Sequence, residues 1–457
     1  MSATQSNRTH NCPLVKGTNS ASASTSTRVD YLNRILQLAW ERGWSARPQL
    51  DAGDILQVGM RGSPAVRVHD YVEWIERLDS LTTALRHEAR LNPLGQTIAY
   101  GQLVRMVRQR AKLETLWQQH PAILKQPVPP PIIVLGHMRA GTTRMQRMLA
   151  SDNRFSATRF CDSWHPMPTG VLDWRPAKAW AVLKSIGLLN PEFASIHPTS
   201  PTAVDEEIGW LGLGFSSTPF DAQWHIPSFV NANSKRDASS TYRLMRRIIQ
   251  TQQWHDKGPP RPRVLKVPQF MEDIDALLSV FPEARIVHVT RDPVEVVASS
   301  CSLVANQRTI QSDTVDFFQI GREWLDRTLR RETIAAARLA RHNFPTTVVD
   351  YGQMNTEWRA TIADIYRSLG LEITDQTLSQ MESFHSNPKA RNAPHSYRLQ
   401  DFGLTPCDVR EAFASTGASP QPNCAGAPDH CPVNTALRFS TKAFVPSVAS
   451  VELPAIL

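Results

Sequence analysis

The sequence has few cysteines and no long apolar run, and both absences restrict its class. Its 457 residues include six Cys, and none of these forms the CxxC pair or the regular spacing typical of a zinc site or a disulfide scaffold. The uninterrupted apolar stretches are far shorter than the roughly 20 residues of a membrane-spanning helix. Residues 1–17 lack the apolar core of a secretory signal peptide. We therefore expect a cytoplasmic protein without a membrane span.

Lysine is also scarce. Only ten of the 50 basic residues are Lys, the other basic residues are Arg, and the net charge is +8. Arg binds phosphate and sulfate groups through two parallel hydrogen bonds. Because the basic residues are scattered and form no long run, the pattern favours a nucleotide-sized anion over a nucleic acid. Cys424, His430 and Cys431 have no clear fourth ligand nearby in the sequence, so we predict no metal site.

The chain divides into regions of different character. Residues 1–27 are polar and without apolar periodicity, so we expect them to be disordered. Residues 28–126 have a helical pattern, in which apolar side chains recur every three or four positions at Tyr71, Trp74, Ile75, Leu78, Leu81 and Leu85. A proline-rich run at 127–131 ends this region, because proline lacks the amide donor that a helix needs.

We predict an α/β domain over residues 127–415. Short apolar runs at 132–135, 264–266, 286–290 and 347–350 are typical of strands buried in a parallel sheet. Residues 155–260, rich in Trp, form a helical and loop insertion that either covers the substrate or is purely structural. Residues 416–457 have little periodicity and are expected to be a poorly ordered tail.

A glycine-containing loop follows the first predicted strand. Gly136 and Gly141 have the spacing of a phosphate-binding P-loop, and a helix is predicted directly after them. Free amides at a helix N-terminus bind anions. Thr142 and Thr143 stand where ATPases and kinases have Lys followed by Ser or Thr, and Arg139 supplies the positive charge instead. A chance strand, turn and helix with two glycines is the alternative.

Two further strands end in basic residues. Lys266 ends one strand and Arg291 follows the next, at the sheet edge where open α/β sheets bind ligands. Asp292 and Pro293 predict a helix start, which places Ser299 about two turns inside that helix. We expect Arg291 and Ser299 to share one phosphate group. The fold class is therefore α/β, with a P-loop-like parallel sheet flanked by helices.

These segments resemble those of the sulfotransferase family that uses 3′-phosphoadenosine 5′-phosphosulfate (PAPS), most closely its bacterial branch. GHMRAGTT is similar to the 5′-phosphosulfate loop of that family, and RDPVEVVASS to its 3′-phosphate motif. LKVPQ, VVDYGQM and residues 387–404 resemble three further segments, in the family order. The resemblance covers roughly residues 65–410. It implies PAPS as the co-substrate and no metal.

The resemblance also implies roles for individual residues. Gly141, Thr142 and Thr143, with Ala140 beside them, hold the 5′-phosphate, and Arg139 stabilises charge on the leaving phosphate. Arg291 and Ser299 bind the 3′-phosphate, and Tyr351 lies near the adenine. Lys389 or Arg391 closes over the nucleotide. Lys266 lies near the transferred sulfuryl group.

The acceptor must lose a proton, so the reaction needs a general base. Asp162 is the first candidate, because it stands before Pro166 and Pro168 where relatives carry Glu upstream of a PxP segment. A turn or capping role is the alternative for it. The other candidates are the acidic cluster of the family and two histidines, namely Asp205, Glu206, Glu207, His165 and His197.

The predicted function is transfer of a sulfuryl group from PAPS to a hydroxyl or amine. The acceptor is a small molecule, a glycan or a lipid, and the sequence does not distinguish among these. Two alternatives are a nucleotide kinase, in which Asp350 would bind Mg²⁺, and a nucleotide-binding protein that has lost catalysis.

Overall fold

The structure is a computed structural model that describes residues 27–63, 68–167, 170, 172–216, 218–342, 344–385 and 398–414. The predictions for nearly all of residues 1–27, for the tail from 416, and for Lys389 and Arg391 lie outside the described residues.

Five parallel strands form one sheet in the order β2-β3-β1-β4-β5. They are β1 Ile132–Leu135, β2 Ser156–Ala157, β3 Arg263–Leu265, β4 Arg285–Thr290 and β5 Thr346–Asp350. The four predicted strands are present, each displaced by one residue at most, and β3 ends just before Lys266. We did not predict β2, because two residues are too short for a periodic signal. It lies within the segment predicted as an insertion.

Strand β1 is the centre of the sheet. Ile132 pairs with Val264 on one side and with Arg285 on the other, and all four residues of β1 are buried. Apolar side chains on both faces are typical of a strand covered by helices on both sides. Because the strands are parallel, the segments that follow β1, β3, β4 and β5 emerge at the same edge of the sheet.

Four helices precede the sheet, in agreement with the predicted helical region. They are α1 Thr27–Glu41, α2 Ala52–Gly59, α3 Tyr71–His87 and α4 Pro93–Gln119, followed by a 3₁₀ helix at Pro121–Lys125. The predicted helix from Tyr71 corresponds to α3. Asn92 begins α4, because its side chain accepts a hydrogen bond from the Gly95 amide and Pro93 occupies the first turn.

The helices between β1 and β4 are mostly short. They are α5 Thr142–Ala150, α6 Phe160–Trp164, α7 Arg175–Leu189, α8 Phe193–Ile196, α9 Ile208–Gly212, α10 Thr218–Asp221, α11 Pro227–Asn233, α12 Ser239–Asp256, a 3₁₀ helix at Pro268–Met271 and α13 Ile274–Val280. The remaining helices are α14 Pro293–Gln311, α15 Phe317–His342, α16 Gln353–Thr356, α17 Trp358–Leu369, α18 Asp375–His385, a 3₁₀ helix at Leu399–Phe402 and α19 Pro406–Ala414.

The N-terminal helices share a core with the rest of the chain. The Trp74 indole of α3 donates to the Leu213 carbonyl at 2.8 Å, and the Trp117 indole of α4 donates to Thr251 Oγ1 at 2.8 Å. Apolar side chains of α3, α4, α12 and β3 belong to one buried cluster. A second buried cluster joins α5 and α17 to the other face of the sheet. None of the helices in the described part of the chain is long and apolar enough to cross a membrane.

Candidate functional site

The loop between β1 and α5 approaches its neighbours very closely at two glycines. A Cβ at Gly136, which has φ of +149°, would lie 2.6 Å from the carbonyl oxygen of Val289. Gly141 has φ of +91° and is the N-cap of α5, and a Cβ there would collide with the Tyr351 ring. Glycine is the residue that adopts such backbone angles without strain. The loop therefore leaves the first amides of α5 directed at the sheet edge, where an anion can bind.

Arg139 connects the loop to α14. Its Nε donates to Ser299 Oγ at 2.9 Å, and one of its terminal nitrogens donates to the carbonyl of Ile196 at 2.8 Å. Arg291 in turn donates to the carbonyl oxygen of Arg139 at 2.7 Å. The structure thus brings Arg139, Arg291 and Ser299 together through a continuous chain of hydrogen bonds. Ser299 itself is buried.

Arg291 and Tyr351 are stacked beside the loop. The Arg291 guanidinium lies 4.6 Å from the centroid of the Tyr351 ring, within cation–π distance. Arg291 also pairs with Glu295 on α14, with 2.7 Å between Nε and the carboxylate. Asp292 caps α14, and Pro293 occupies its first turn, as predicted. Sequence reasoning missed Glu295. The available signal was its position in the first turn of the predicted helix, four residues after Arg291.

Lys266 meets the acidic cluster. Its ammonium donates to Glu206 Oε2 at 2.9 Å, and its backbone amide donates to Glu207 Oε2 at 2.8 Å. Two side chains of α5 hold the same segment, because Gln146 donates to the Asp205 carbonyl and Arg147 to the Val204 carbonyl. The acidic cluster therefore lies against the helix that begins at the glycine loop.

The three acids of this cluster have different environments. Burial raises the pKa of Glu207 to about 7, although the hydrogen bond from the Lys266 amide partly opposes this shift. Burial also acts to raise the pKa of Asp205, but the neighbouring His197 and Lys266 outweigh it and hold that pKa well below its usual range. Glu206 remains partly accessible while it pairs with Lys266.

Asp162 lies in a separate ion-pair cluster on α6. Arg159 donates to its two carboxylate oxygens at 2.7 and 2.8 Å, and Arg175 lies 3.1 Å away. The Asp162 carboxylate also closes the first turn of α6 by accepting from the Arg159 amide. The side chain therefore has the capping environment that was the alternative interpretation, and its ionic partners belong neither to the loop nor to the Lys266 cluster.

The two candidate histidines also differ. Burial, together with nearby positive charge, lowers the pKa of His165 to about 4, which makes it a weak base. His197 lies 3.3 Å from Asp205 and therefore belongs to the acidic cluster. A third histidine was missed: His137 of the loop pairs with Glu332 on α15 at 2.8 Å. That contact fixes the start of the loop, and its sequence separation of 195 residues left no local signal.

A comparison with known families identifies the family to which the chain belongs. A model of the sulfotransferase family matches residues 130–375, which is more than half of the chain and includes the loop, Lys266, Arg291 and Tyr351. The chain belongs to the sulfotransferase family. The resemblance inferred from the motifs is thereby confirmed.

Among curated sulfotransferases, two similar proteins are omega-hydroxy-beta-dihydromenaquinone-9 sulfotransferase Stf3 from Mycobacterium bovis and its counterpart of the same name from Mycobacterium tuberculosis. Each is 25% identical over 184 residues, which are 38% of this chain and 45% of the relative. The matched part thus spans less than half the length of these relatives.

Among solved sulfotransferase structures, STF1 from Mycobacterium tuberculosis H37Rv superposes with a TM-score of 0.70 at 26% identity, covering 81% of this chain and all of that one. STF9 from Mycobacterium avium has the same TM-score at 23% identity, covering 80% and 95%, and supports the fold alone. The predicted α/β fold with a P-loop-like parallel sheet is confirmed.

Proposed function

We propose that this chain transfers a sulfuryl group from PAPS to a hydroxyl or amine of a small, lipid-like acceptor. The observation that carries the proposal is the hydrogen-bonded chain of Arg139, Ser299 and Arg291 beside the glycine loop. Such a set of cationic and hydroxyl donors at the carboxyl edge of a parallel sheet fits a nucleotide with phosphates at two positions. A cytoplasmic location and the absence of a metal requirement are part of the proposal.

The loop would hold the 5′ end of the nucleotide. The amides of Ala140, Gly141, Thr142 and Thr143 lie where the helix dipole of α5 favours an anion. The Thr142 and Thr143 hydroxyls add donors at the same place. Arg139 is the middle residue of the hydrogen-bonded chain and would stabilise the negative charge that grows on the 5′-phosphate as its bond to sulfur breaks.

Arg291 and Ser299 would bind the 3′-phosphate. Arg291 donates to the Arg139 carbonyl, and Ser299 accepts from the Arg139 side chain. A phosphate bound beside them would replace hydrogen bonds within the protein by hydrogen bonds to its own oxygens. Tyr351, which packs on Gly141 and on the Arg291 guanidinium, would lie near the adenine. Lys389 or Arg391 closing over the nucleotide remains part of the proposal from the family resemblance.

Lys266 and Glu206 would carry out the chemistry at the acceptor. Glu206 would take the proton from the acceptor hydroxyl or amine as the new bond to sulfur forms, and the bridging oxygen would leave with the nucleotide. The Lys266 ammonium, held by Glu206 at 2.9 Å, would offset the negative charge of the group in transit. We favour Glu206 over Asp162, because both oxygens of Asp162 are engaged by Arg159 and Arg175.

The proposed acceptor class rests on the relatives. The name of the Stf3 proteins specifies a hydroxylated menaquinone derivative, an apolar molecule with one hydroxyl. We extend this to the class of lipid-like acceptors and not to that particular molecule. Asp350, the Mg²⁺ ligand of the kinase alternative, accepts at 3.1 Å from the amide of Gln353, the first residue of α16.

Calorimetry of the nucleotide product tests the donor. We expect 3′-phosphoadenosine 5′-phosphate (PAP) to bind at least tenfold more tightly than ATP, with no dependence on Mg²⁺, because ATP has no 3′-phosphate for Arg291 and Ser299. Tight binding of ATP with Mg²⁺ would contradict the proposal.

Transfer of labelled sulfuryl from PAPS, assayed separately on aqueous and lipid fractions of a metabolite extract, tests the acceptor class. Tight PAP binding without transfer to either fraction would favour a protein that has lost catalysis.

A further inference from the structure

Helix α7 is an apolar helix that the fold leaves largely uncovered. Its sequence RPAKAWAVLKSIGLL contains no acidic residue, and only Arg175 and Ala179 are buried among its described side chains. Trp180 and Leu188 are 56% and 64% exposed. Large apolar side chains that are exposed together on one face of a fold mark a site of interaction with a protein or a membrane. This helix therefore needs a partner that the fold itself does not supply.

Helix α1 extends the same surface. Arg28 donates to the Leu188 carbonyl at 2.9 Å, and Tyr31 and Leu32 line a shallow apolar cleft with Leu188 and Leu189. Tyr31, Ile35 and Leu38 follow one another at helical spacing and are exposed. We call the exposed face formed by α7 and by this stripe of α1 the α1–α7 surface.

The charges of this surface are predominantly positive. Lys178 and Lys184 are exposed on α7, and the Lys184 ammonium lies 5.7 Å from the Trp180 ring centroid. On α1, Arg28 and Arg34 are balanced by Asp30 and Glu41, so the excess of positive charge comes from the lysines of α7. Exposed Lys beside exposed Trp and Leu gives this surface the two kinds of group by which a peripheral protein binds a bilayer, one for the headgroups and one for the acyl boundary.

Charge complementarity distinguishes among the possible occupants. A second copy of this chain, docked through the same face, would bring the lysines of both α7 helices together, and like charges at a contact are unfavourable. Anionic lipid headgroups instead match the lysines, while the acyl boundary accepts the Trp and Leu side chains. We propose that the α1–α7 surface binds peripherally to an anionic lipid bilayer.

Both ends of α7 are fixed to neighbouring helices. Arg175 pairs with Asp162 at the start of the helix, and Asn190 at its end donates to Asn306 Oδ1 of α14 at 2.6 Å. Ile196, whose carbonyl accepts a hydrogen bond from Arg139, is the last residue of the next helix, α8. A bilayer bound to α7 would therefore lie next to the loop. If the proposed function holds, a lipid-dissolved acceptor would reach the site without crossing water.

Vesicle sedimentation tests this inference with the full-length protein. We expect binding to vesicles of phosphatidylglycerol and phosphatidylcholine to be at least tenfold tighter than binding to phosphatidylcholine alone, and to weaken as NaCl is raised. The double variant Leu188→Ser and Lys184→Glu should lose at least tenfold in affinity for the anionic vesicles.

The matched control is Val348→Ser with Lys112→Glu. Val348 is 65% exposed on β5, and Lys112 is exposed on α4, so this control removes an equally exposed aliphatic side chain and reverses one lysine charge elsewhere. It should bind vesicles like the wild type. PAP affinity and melting temperature of all proteins show that they are folded. Lys178→Glu alone, the mildest change, should weaken vesicle binding severalfold.

Three results would overturn the inference. The first is wild-type protein that does not bind anionic vesicles at low salt. The second is equal loss of binding in the test and control variants. The third is a wild-type dimer without lipid that the test variant alone converts to monomer, since the surface would then join two copies. Because PAP binding is measured in parallel, failure of vesicle binding and failure of the proposed function are distinguishable.

Discussion

Arg291 has three contacts at the sheet edge, namely the Arg139 carbonyl, the Glu295 carboxylate and the Tyr351 ring. The first and third hold it beside the loop, whereas Glu295 is an exposed carboxylate in the first turn of α14. A 3′-phosphate would compete with Glu295 for the guanidinium. An exposed ion pair contributes only about 0.2–1 kcal/mol, so the phosphate displaces it at little cost.

Arg291→Ala should weaken PAP binding by roughly ten- to a hundredfold, because a hydrogen bond to a charged group contributes about 1.5–3 kcal/mol. Calorimetry measures the affinity. Arg367→Ala, at a guanidinium exposed on α17, is the control and should bind PAP normally. Unchanged affinity in Arg291→Ala would show that this residue only fixes the loop.

Glu206→Gln and Asp162→Asn separate the two candidate bases. Glu206→Gln should lower kcat by about 10²–10⁴ while PAP affinity stays close to normal. Asp162→Asn should retain turnover but melt at a lower temperature, because it removes the charge that Arg159 and Arg175 share. The opposite pattern, with turnover lost only in Asp162→Asn and its melting temperature unchanged, would return the base to Asp162.

Glu207 makes the stability of the protein depend on pH. Its pKa is raised from 4.5 to about 7 in the fold, so the unfolded chain loses this proton first. Folding stability from this group is therefore intact below about pH 4.5, falls as pH rises toward 7, and stays reduced above that. Glu207→Gln keeps an acceptor for the Lys266 amide without the charge. We expect the variant to exceed the wild type in denaturant stability at pH 8 but not at pH 4.5; equal stability at both would contradict this.

At the scale of elements, the glycine loop and the helix it begins depend on one close approach. Gly141 and the Tyr351 ring are in contact, and the ring has no free space on that side. The loop, α5 and the segment after β5 therefore fit together only when residue 141 has no side chain.

Gly141→Ala should weaken PAP binding at least tenfold, because its Cβ would displace the Tyr351 ring and the first turn of α5. Gly43→Ala is the matched control, since Gly43 also has a positive φ, of +70°, but has open space around it. This control shows what Ala at a positive φ does elsewhere in the fold, so a loss of PAP affinity by calorimetry in Gly141→Ala alone assigns the effect to the loop. Similar affinities would contradict the role of this approach.

The elements that sequence reasoning predicted are those with local signals. The buried runs of β1 and β4, the Asp292 cap and the helix at Tyr71 each follow from side chains a few residues apart. The pairing of Lys266 with Glu206 spans 60 residues, and that of His137 with Glu332 spans 195. No periodicity encodes such contacts, because they depend on the strand order. The sequence therefore ranked Asp162 first, without the ion pairs that lead us to propose Glu206.

At the scale of the whole molecule, the helices before the sheet are integral to the fold. Trp74 of α3 is buried, stacks on Phe215 at 5.5 Å between centroids and donates to the Leu213 carbonyl. The contacted residues lie between β1 and β4, so α3 stabilises the segment that also contains the acidic cluster. One shared core predicts one cooperative unfolding transition.

Trp74→Ala should lower the free energy of unfolding by about 3–5 kcal/mol, as large-to-small core substitutions of Trp do. Denaturant unfolding followed by circular dichroism and by loss of PAP binding should give one coincident midpoint in both proteins. Trp44→Ala, at an exposed position, should leave that midpoint unchanged. Separate midpoints for the two signals would show that the N-terminal helices unfold independently.

The central place of β1 also has a consequence for how the chain folds. Ile132 finds its partners at Val264 and Arg285, about 130 and 150 residues later, and pairings of such high contact order form slowly. During synthesis, the most apolar strand leaves the ribosome long before either neighbour exists. The strand must therefore be shielded from aggregation while the residues between it and its partners are synthesised. The nucleotide site, which needs β1, β4 and Tyr351 together, would be completed only at the end of folding, so gain of PAP binding marks the last step of the refolding reaction.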